Sequence, residues 1–226
     1  MISMLCPTRN RPEGLLRLVT SALETATSPE EIEIVAVVDP DDSSYVQLIE
    51  AKLSQVKWVF VDEPVVFSDL WNLAWWEASG PIYQMVADDM VVRTPAWDTL
   101  VREAFEAVPD RILFVYGYDG IQEDMGTFGF VHDAWTSTVG RFCPPYFSSD
   151  WCDVWLDEVA AKLGRRHRVE ALFEHLHGNL YPEARDQTWQ ENNMRRDRDN
   201  PGELYKQLQG EREVEVSWLR EAMWSL

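Results

Sequence analysis

Apolar, β-branched segments alternate with helical patterns through the first half of the chain, and this alternation limits the possible folds more than any other feature. Strands are predicted at Ile2–Cys6, Ile32–Val38, Val56–Val61 and Ile82–Ala87. Helices are predicted between them, from Pro12 to Ala26, at Ser43–Leu53 and at Ser68–Ala78. Such alternation is typical of α/β proteins with a mainly parallel sheet and helices on both faces. Polar residues that follow the strands should then meet at one edge of the sheet, where such folds bind ligands.

The second half of the chain is less regular. Helices are predicted at Trp97–Ala107, Asp133–Val139 and Trp151–Leu163, and strands at Ile112–Tyr116, Thr127–Val131 and Val169–Phe173. Two more helices, Asp186–Arg196 and Gly202–Trp224, are separated by a polar break over Arg195–Pro201. We therefore predict one domain over residues 1–190 and a C-terminal helical extension over residues 191–226. The extension is expected to pack on the domain or to form a homo-oligomer.

Charge and composition exclude several classes of protein. The 226 residues include 20 Lys and Arg against 39 Asp and Glu, a net charge of −19, so indiscriminate binding to polyanions is not expected. No apolar run approaches the ~20 residues of a membrane span, and the opening stretch is too short for a signal peptide. Cys6, Cys143 and Cys152 lack zinc or redox spacing. The sequence predicts a globular protein of the reducing cytoplasm that does not associate with membranes.

Two adjacent carboxylates, Asp88 and Asp89, follow the predicted strand Ile82–Ala87. Carboxylate oxygens at the end of a strand suit a hard divalent cation, although a solvated acidic turn has the same pattern. His175 and His177 follow a later strand, and alternate residues of a strand face the same side. In the alternative to a shared site, one of the two imidazoles lies at the edge of the core and the other in solvent. With Asp88 they form a mixed carboxylate and imidazole set, which suits Mn²⁺ better than Ca²⁺.

Two further carboxylates, Asp150 and Asp153, lie at the start of the predicted helix Trp151–Leu163. A carboxylate at the mouth of a site can act as general base toward a hydroxyl group. The alternative is structural: Asp150 as the N-cap of the helix and Asp153 as a favourable first-turn charge. The residues alone favour the structural interpretation.

The loop Pro7–Pro12 joins the first strand to the first helix, so its N–H groups and the helix dipole can face an anion. Asp39 ends the second strand and can accept hydrogen bonds from a nucleotide base or ribose. The chain contains neither G-x-G-x-x-G nor G-x-x-x-x-G-K-[ST]. Their absence argues against a dinucleotide dehydrogenase and a P-loop NTPase.

Taken in order, these segments resemble glycosyltransferases of the GT-A fold that are related to family 2. Ile2–Pro12 is similar to their opening strand and loop, and Ile34–Asp39 to their second strand. Leu70–Ala74 and Ile82–Asp89 resemble the helix and strand that lead to their D-x-D motif, in which Val86 here replaces the first acid. The resemblance extends over about residues 1–190. It includes features of small bacteriophage glycosyltransferases, which act on modified bases in DNA, on proteins or on unknown acceptors.

The resemblance implies a GT-A, Rossmann-like fold and a metal-dependent enzyme that moves a sugar from a nucleotide-diphosphate sugar, most simply a UDP-sugar, to an acceptor hydroxyl, with inversion. It implies Mn²⁺ or Mg²⁺ bound by Asp88, Asp89, His177 and, as the weaker match, His175. It implies donor contacts from Pro7, Thr8, Arg9, Arg11, Asp39, Asn72, Ala87 and Asp88. The catalytic base matches Asp150 best, with Asp153 as the alternative.

The acceptor is the least constrained part of the function. A hydroxymethylated base in phage DNA, within the host cytoplasm, is one candidate. DNA would need the basic clusters Arg165–Arg168 and Arg195–Arg198, unless local ion pairs occupy them. Trp71 and Trp151 are the first candidates to flank the sugar or the acceptor.

Two other functions stay open. One is a non-catalytic nucleotide-sugar-binding protein, which Val86 in place of the first acid favours. The other is a nucleotidyltransferase on the same fold, which would need Gly and Lys in the loop Pro7–Pro12, where neither occurs.

Overall fold

The computed structural model describes residues 1–62 and 65–224. Within them, one mixed sheet of eight strands is flanked by nine α-helices, and the strand order is β3-β2-β1-β4-β7-β6-β8-β5. The strands are β1 (Ile2–Thr8), β2 (Ile32–Val38), β3 (Val56–Phe60), β4 (Ile82–Met85), β5 (Met90–Val92), β6 (Phe114–Tyr118), β7 (Phe130–His132) and β8 (Arg166–His175). The helices are α1 (Pro12–Thr25), α2 (Val46–Glu50), α3 (Phe67–Glu77), α4 (Trp97–Glu106), α5 (Asp133–Val139), α6 (Cys152–Leu163), α7 (Gln187–Asp199), α8 (Pro201–Gln207) and α9 (Gln209–Met223).

The first half of the chain forms the parallel part of the sheet, as its alternating pattern predicts. β1 lies between β2 and β4 and is parallel to both, so Ile2 is beside Ile32 on one side and Ile82 on the other. β3 extends this part and is parallel to β2. Because parallel strands end at one edge, the segments after β1, β2 and β4 lie side by side there.

The remaining strands make the sheet mixed. β7 is antiparallel to β4 and β6, β8 is parallel to β6, and β5 is antiparallel to β8. The three-residue strand β5 was not predicted from the sequence. Its pairing matters for the site, because Met90 is registered with His175 and therefore brings this imidazole next to the preceding residue, Asp89.

Two hydrophobic cores cover the two faces of the sheet. Alternate residues of β2 point to opposite faces, so Ile34 and Ala36 belong to one core and Val35 and Val37 to the other. The first core includes α1 and α4, and the second includes α3, α5, α6 and α9. Helices thus lie on both faces, and burial on both sides explains why β1 and β2 are apolar along most of their length.

Several predicted boundaries in the C-terminal half are wrong. The polar break predicted over Arg195–Pro201 is largely helical, because α7 continues to Asp199 and ends at Asn200, whose φ is 44°. The single helix predicted from Gly202 to Trp224 divides into α8 and α9 at Leu208. In the first half, the helix predicted over Ser43–Leu53 is reduced to α2.

The C-terminal helices are attached to the domain through buried groups of α9. Val216 and Leu219 pack into the second core. Glu215 is buried and accepts a hydrogen bond from Trp155 Nε1 of α6 at 2.6 Å. The domain boundary predicted at residue 190 lies within α7. No helix among the described residues is long and apolar enough to cross a membrane.

Candidate active site

A cavity of about 240 Å³ lies at the edge of the sheet where β1, β2 and β4 end, and α7 covers it. The candidate residues that line it are Pro7, Thr8, Arg9, Arg11, Asp39, Ala87, Asp88, Asp89, Asp150, Asp153, His175 and His177. The structure therefore brings together groups that are far apart in sequence, as expected for an α/β sheet.

Asn72 has a structural position instead. Its Oδ1 accepts hydrogen bonds from the N–H groups of Phe142 and Cys143 at 3.0 and 3.1 Å, and its Nδ2 donates to the Cys143 carbonyl at 3.0 Å. These bonds join α3 to the segment after α5. Because its hydrogen-bonding groups are engaged within the protein, the described geometry gives no support to a donor contact at Asn72.

Asp88 holds the β1–α1 loop in place. Its Oδ2 accepts a hydrogen bond from Thr8 Oγ1 at 2.8 Å, and its Oδ1 accepts one from Arg11 Nη1 at 2.9 Å. Gly14 lets α1 approach this turn, since a Cβ there would lie 2.5 Å from the Asp88 carbonyl oxygen. Burial raises the pKa of Asp88 to about 6, against the opposing charge of Arg11. Both carboxylate oxygens of Asp88 are thus committed to contacts within the protein.

Asp89 is paired with His175 rather than hydrogen-bonded to a neighbour. Its Oδ1 is buried and has no hydrogen-bond partner, and it lies 3.5 Å from His175 Nε2. Burial works against the ionised form, but His175, Arg11 and His177 together hold the pKa of Asp89 below its ordinary value. Burial likewise opposes the charged form of His175, yet Asp89 raises the pKa of this imidazole above its ordinary value. Asp89 and His175 therefore form an electrostatically coupled pair.

The residues expected to bind a metal do not form a complete ligand set on their own. Among the described residues, no group of three or more His, Cys, Asp and Glu side chains is arranged to hold an ion. Arg11 also lies 3.6 Å from Asp89 Oδ2, so the acidic pair already has a cationic partner. What fits a cation is Asp89 Oδ1, which makes no hydrogen bond, beside two imidazoles whose ring centres are 5.0 Å apart. A cation that takes its other ligands from a bound diphosphate matches this donor set.

Asp150 is not a helix cap. The helix begins at Cys152 after Trp151, which has a φ of 86° and makes no side-chain cap. The N-cap interpretation of Asp150 is therefore wrong. Its Oδ2 accepts a hydrogen bond from Arg196 Nε, and its Oδ1 is 3.4 Å from Asn192 Nδ2, so α7 contacts both oxygens.

Asp153 has a different environment from Asp150. Its Oδ1 accepts a hydrogen bond from the N–H of Val154 at 2.9 Å, and burial raises its pKa to about 6. A carboxylate with a pKa near 6 combines a large ionised fraction at neutral pH with appreciable proton affinity, as a general base requires. Both Asp150 and Asp153 line the cavity.

Arg9 organises the acidic residues after β2. Its Nη1 donates to Asp39 Oδ2 at 2.7 Å and to Asp41 Oδ1 at 2.6 Å, and its Nη2 donates to Asp41 Oδ2 at 2.8 Å. Arg9 and Asp39 both line the cavity. Arg9 and Asp39 thus form an ion pair at the cavity wall, beside the end of β1.

The residues of α7 in the site were missed by the sequence analysis. Asp186 caps α7 by accepting from the Trp189 N–H at 2.8 Å, and it also accepts from Arg11 Nε at 2.6 Å. Thr188 Oγ1 donates to the Arg9 carbonyl at 3.0 Å. Asn192, Asn193, Arg195 and Arg196 line the cavity. The available signal was that α7 has no apolar stripe, which is unusual for a helix that packs on a domain.

The basic clusters are occupied by local acids. Arg165 pairs with Asp110 at 2.7 Å, Arg166 with Asp157 at 2.9 Å and Arg168 with Glu123 at 3.7 Å. In the second cluster, Arg196 pairs with Asp150 and Arg198 with Asp199. These contacts leave little of either cluster for the phosphates of a nucleic acid.

No protein-family model and no curated protein matches the chain. Solved structures do share its fold. Residues 1–349 of TarS from S. aureus match with a TM-score of 0.59 at 16% identity, over 76% of this chain and 60% of that one. The same TarS fragment in complex with UDP-GlcNAc gives a TM-score of 0.61 at 14% identity, over 78% of this chain and 59% of that one.

A mannosyltransferase, PcManGT from Pyrobaculum calidifontis in complex with GDP-Man and Mn²⁺, gives a TM-score of 0.57 at 14% identity. This match covers 80% of this chain and 58% of that one. The chain spans about three-fifths of the length of these structures. It has the α/β, GT-A-like fold of glycosyltransferases.

Proposed function

We propose that the protein is a glycosyltransferase that moves a sugar from a nucleoside-diphosphate sugar to an acceptor hydroxyl, with inversion. The observation that carries this proposal is one cavity, at the ends of parallel strands in a GT-A-like fold, that is lined by acids, imidazoles and two further carboxylates at the start of α6. Asp88, Asp89, His175 and His177 would face the diphosphate, and Asp150 and Asp153 the acceptor. The glycosyltransferase structures with UDP-GlcNAc and GDP-Man support a nucleotide-sugar donor.

The donor side is organised by the β1–α1 loop. Thr8 and Arg11 bind Asp88, which fixes the loop against the end of β4. Arg9 of this loop is hydrogen-bonded to Asp39 at the end of the neighbouring strand β2, where the two residues would contact the nucleoside. The loop lies at the N-terminus of α1, where N–H groups and the helix dipole favour a phosphate. A UDP-sugar is the simplest donor for this arrangement.

Mn²⁺ or Mg²⁺ belongs to this proposal as a partner of the bound diphosphate. Asp89 and the imidazoles of His175 and His177 would hold the ion, which would replace the ion pair between Asp89 Oδ1 and His175 Nε2. Asp88 is less suited than the sequence predicted, because Thr8 and Arg11 use both of its oxygens. When bound, such an ion neutralises the charge of the departing nucleoside diphosphate.

The acceptor side supplies the base. In the proposed step the acceptor oxygen attacks the anomeric carbon, while the bond to the diphosphate breaks and its electron pair leaves with the nucleotide. The acceptor proton passes to a carboxylate, for which Asp150 is the first candidate and Asp153 the second. Asp150 can act only when the Arg196 contact leaves one of its oxygens open to the acceptor.

Calorimetric titration with UDP-glucose, UDP-GlcNAc and GDP-mannose tests the proposal, each with Mn²⁺ and again with EDTA. We expect saturable binding of at least one donor, and at least tenfold weaker binding in EDTA. Asp89→Asn should lose the Mn²⁺ effect, whereas Glu103→Gln, on the exposed side of α4, should keep it. The proposal fails if none of these or other nucleotide sugars binds, with or without metal.

A non-catalytic nucleotide-sugar-binding protein is the second candidate. Val86, in place of the first acid of D-x-D, is buried and supplies no carboxylate to the cavity that it lines. Release of nucleoside diphosphate separates the two functions. A binding protein would hold the donor without releasing the nucleotide, whereas a transferase would release it by transfer or by slow hydrolysis.

A further inference from the structure

Three polar atoms close to Asp150 are buried and have no hydrogen-bond partner: Ser149 Oγ, Asn192 Oδ1 and Arg195 Nε. The three residues line the same cavity, and Ser149 has no exposed surface. Buried polar groups are nearly always satisfied, so a group of unsatisfied atoms around one cavity indicates a missing polar ligand.

Contacts between the surrounding elements place these three residues in one part of the cavity. Ser149 precedes Asp150, and Asn192 lies 3.4 Å from an Asp150 oxygen. The guanidinium of Arg195 lies 5.7 Å from the centre of the Phe67 ring. Phe67 begins α3, and its neighbour Ser68 hydrogen-bonds with Phe147 in the segment that leads to Ser149. The start of α3, residues 147–151 and α7 thus form one wall of the cavity.

This wall combines flat apolar surface with the unpartnered polar atoms. Phe67 and Trp71 meet edge to face, with ring centres 4.8 Å apart, and Trp151 also lines the cavity. A ligand here would rest an apolar face on an aromatic ring and exchange hydrogen bonds at its edge. It would donate to Asn192 Oδ1, accept from Arg195 Nε and bond with the Ser149 hydroxyl.

Charge decides between a neutral and an anionic ligand. Among the described residues, the cavity is lined by four arginines and five aspartates. Each of the arginines except Arg195 already pairs with a carboxylate in the site, and the charge of Arg195 acts on Asp199 of α7. The diphosphate of a donor would add further negative charge. A second anion beside Asp150 and Asp153 would therefore be repelled.

Resting on the proposed function, we propose that Ser149, Asn192, Arg195 and Phe67 form the acceptor subsite, and that the acceptor is an uncharged ring compound with several hydroxyl groups. Such a ring presents a C–H face to the aromatic wall and hydroxyl groups that both donate and accept. Its reacting hydroxyl lies beside Asp150. Nucleic acid and other phosphate-rich polymers are outside this class.

Saturation-transfer NMR tests the chemical class of the acceptor. The samples contain Mn²⁺ and UDP, or GDP where UDP does not bind. The probes are matched pairs that differ by one charge: methyl glucoside against methyl glucuronide, and methyl galactoside against methyl galacturonide. Methyl mannoside and methyl N-acetylglucosaminide complete the neutral set. We expect at least one neutral glycoside to bind at least tenfold more tightly than any uronide.

Variants then test the residues. Asn192→Ala and Ser149→Ala should each lower the affinity for the glycoside at least tenfold and leave the affinity for the nucleotide unchanged. Gln190→Ala is the matched control, because Gln190 lies on α7 with its side chain exposed. Ser149→Ala should not lower the melting temperature, since removing an unsatisfied buried hydroxyl costs little stability.

Three results would overturn the inference while nucleotide binding persists. In the first, a uronide or a DNA oligonucleotide binds more tightly than every neutral glycoside. In the second, no neutral glycoside binds. In the third, both variants keep the parental affinity for the glycoside. Absence of all nucleotide binding would instead remove the proposed function, and the acceptor subsite with it.

Discussion

At the scale of single residues, the two carboxylates on the acceptor side differ in what surrounds them. Asp150 is ion-paired to Arg196, whereas Asp153 bonds only a backbone N–H. We expect Asp150→Asn to lower the rate of transfer by at least ~10²-fold, because asparagine keeps the contact with Asn192 but cannot take a proton. Donor affinity should not change. Rate measurements at saturating donor check this.

The matched variant is Asp153→Asn, for which a smaller loss of rate is expected. If only Asp153→Asn loses transfer, the base is Asp153, whose pKa is raised to about 6 by burial. Retention of the parental rate by both variants would contradict an inverting mechanism with a base at this end of α6.

Arg11 is the residue on which the donor side most depends. Its guanidinium contacts Asp88 at 2.9 Å, Asp89 at 3.6 Å and Asp186 at 2.6 Å. Removing it leaves buried carboxylates without their partner, which costs about 3–5 kcal/mol in comparable buried pairs. We expect Arg11→Gln to lower the free energy of unfolding in urea by an amount of that order.

Arg17→Gln, at an exposed position of α1, provides the control and should change stability by less than about 0.5 kcal/mol. Equal stability of the two variants would mean that the Arg11 cluster contributes nothing to folding.

At the scale of secondary-structure elements, α7 is attached to the domain mainly by polar contacts. Asp186 joins it to Arg11, Thr188 to the Arg9 carbonyl and Arg196 to Asp150. Because α7 lines the cavity of about 240 Å³, we expect it to move when a nucleotide sugar binds. Segments held by few apolar contacts open at low free energy.

Hydrogen exchange checks this view of α7. Its amides should exchange faster than those of α6, and Asp186→Ala should accelerate them about fivefold further, because loss of an N-cap costs about 1 kcal/mol. Exchange in α6 should be the same in both proteins. Equal protection of α7 and α6 in the parent protein would contradict the expected mobility.

The elements that the sequence predicted well are those whose own residues determine them. β2 and α5 match their predicted bounds. β-Branched residues fill β2, and Gly140 ends α5. β5 is too short for a periodic signal and exists because it pairs with β8. Most predicted site residues do line the cavity. Asn72 does not, and α7 was missed, because contacts with distant segments decide both positions.

At the scale of the whole molecule, α9 makes the C-terminal region part of the folded domain. Leu219 is fully buried in the second core, and its neighbour Trp218 is 47% exposed. Leu219→Ala should lower the free energy of unfolding by about 2–5 kcal/mol, with one cooperative transition. Trp218→Ala should change it far less. A separate early transition for the C-terminal helices would contradict this view.

The stability of the whole protein should also depend on pH through Asp153. Its pKa rises from 3.8 to about 6 on folding, because burial disfavours the charged form. Between these pH values the folded protein binds more protons than the unfolded chain, so this group lowers stability as the pH rises from about 4 to about 6. The full destabilisation is present at neutral pH.

Asp153→Asn removes that titration while keeping an oxygen for the Val154 N–H. We expect the variant to be more stable than the parent at pH 7 by about 1–3 kcal/mol, from ~1.4 kcal/mol per pKa unit, and to match it near pH 4. Urea unfolding at both pH values measures the difference, with Glu103→Gln as an exposed control on α4. A stability difference that is the same at both pH values would show that Asp153 is not a buried, titrating carboxylate.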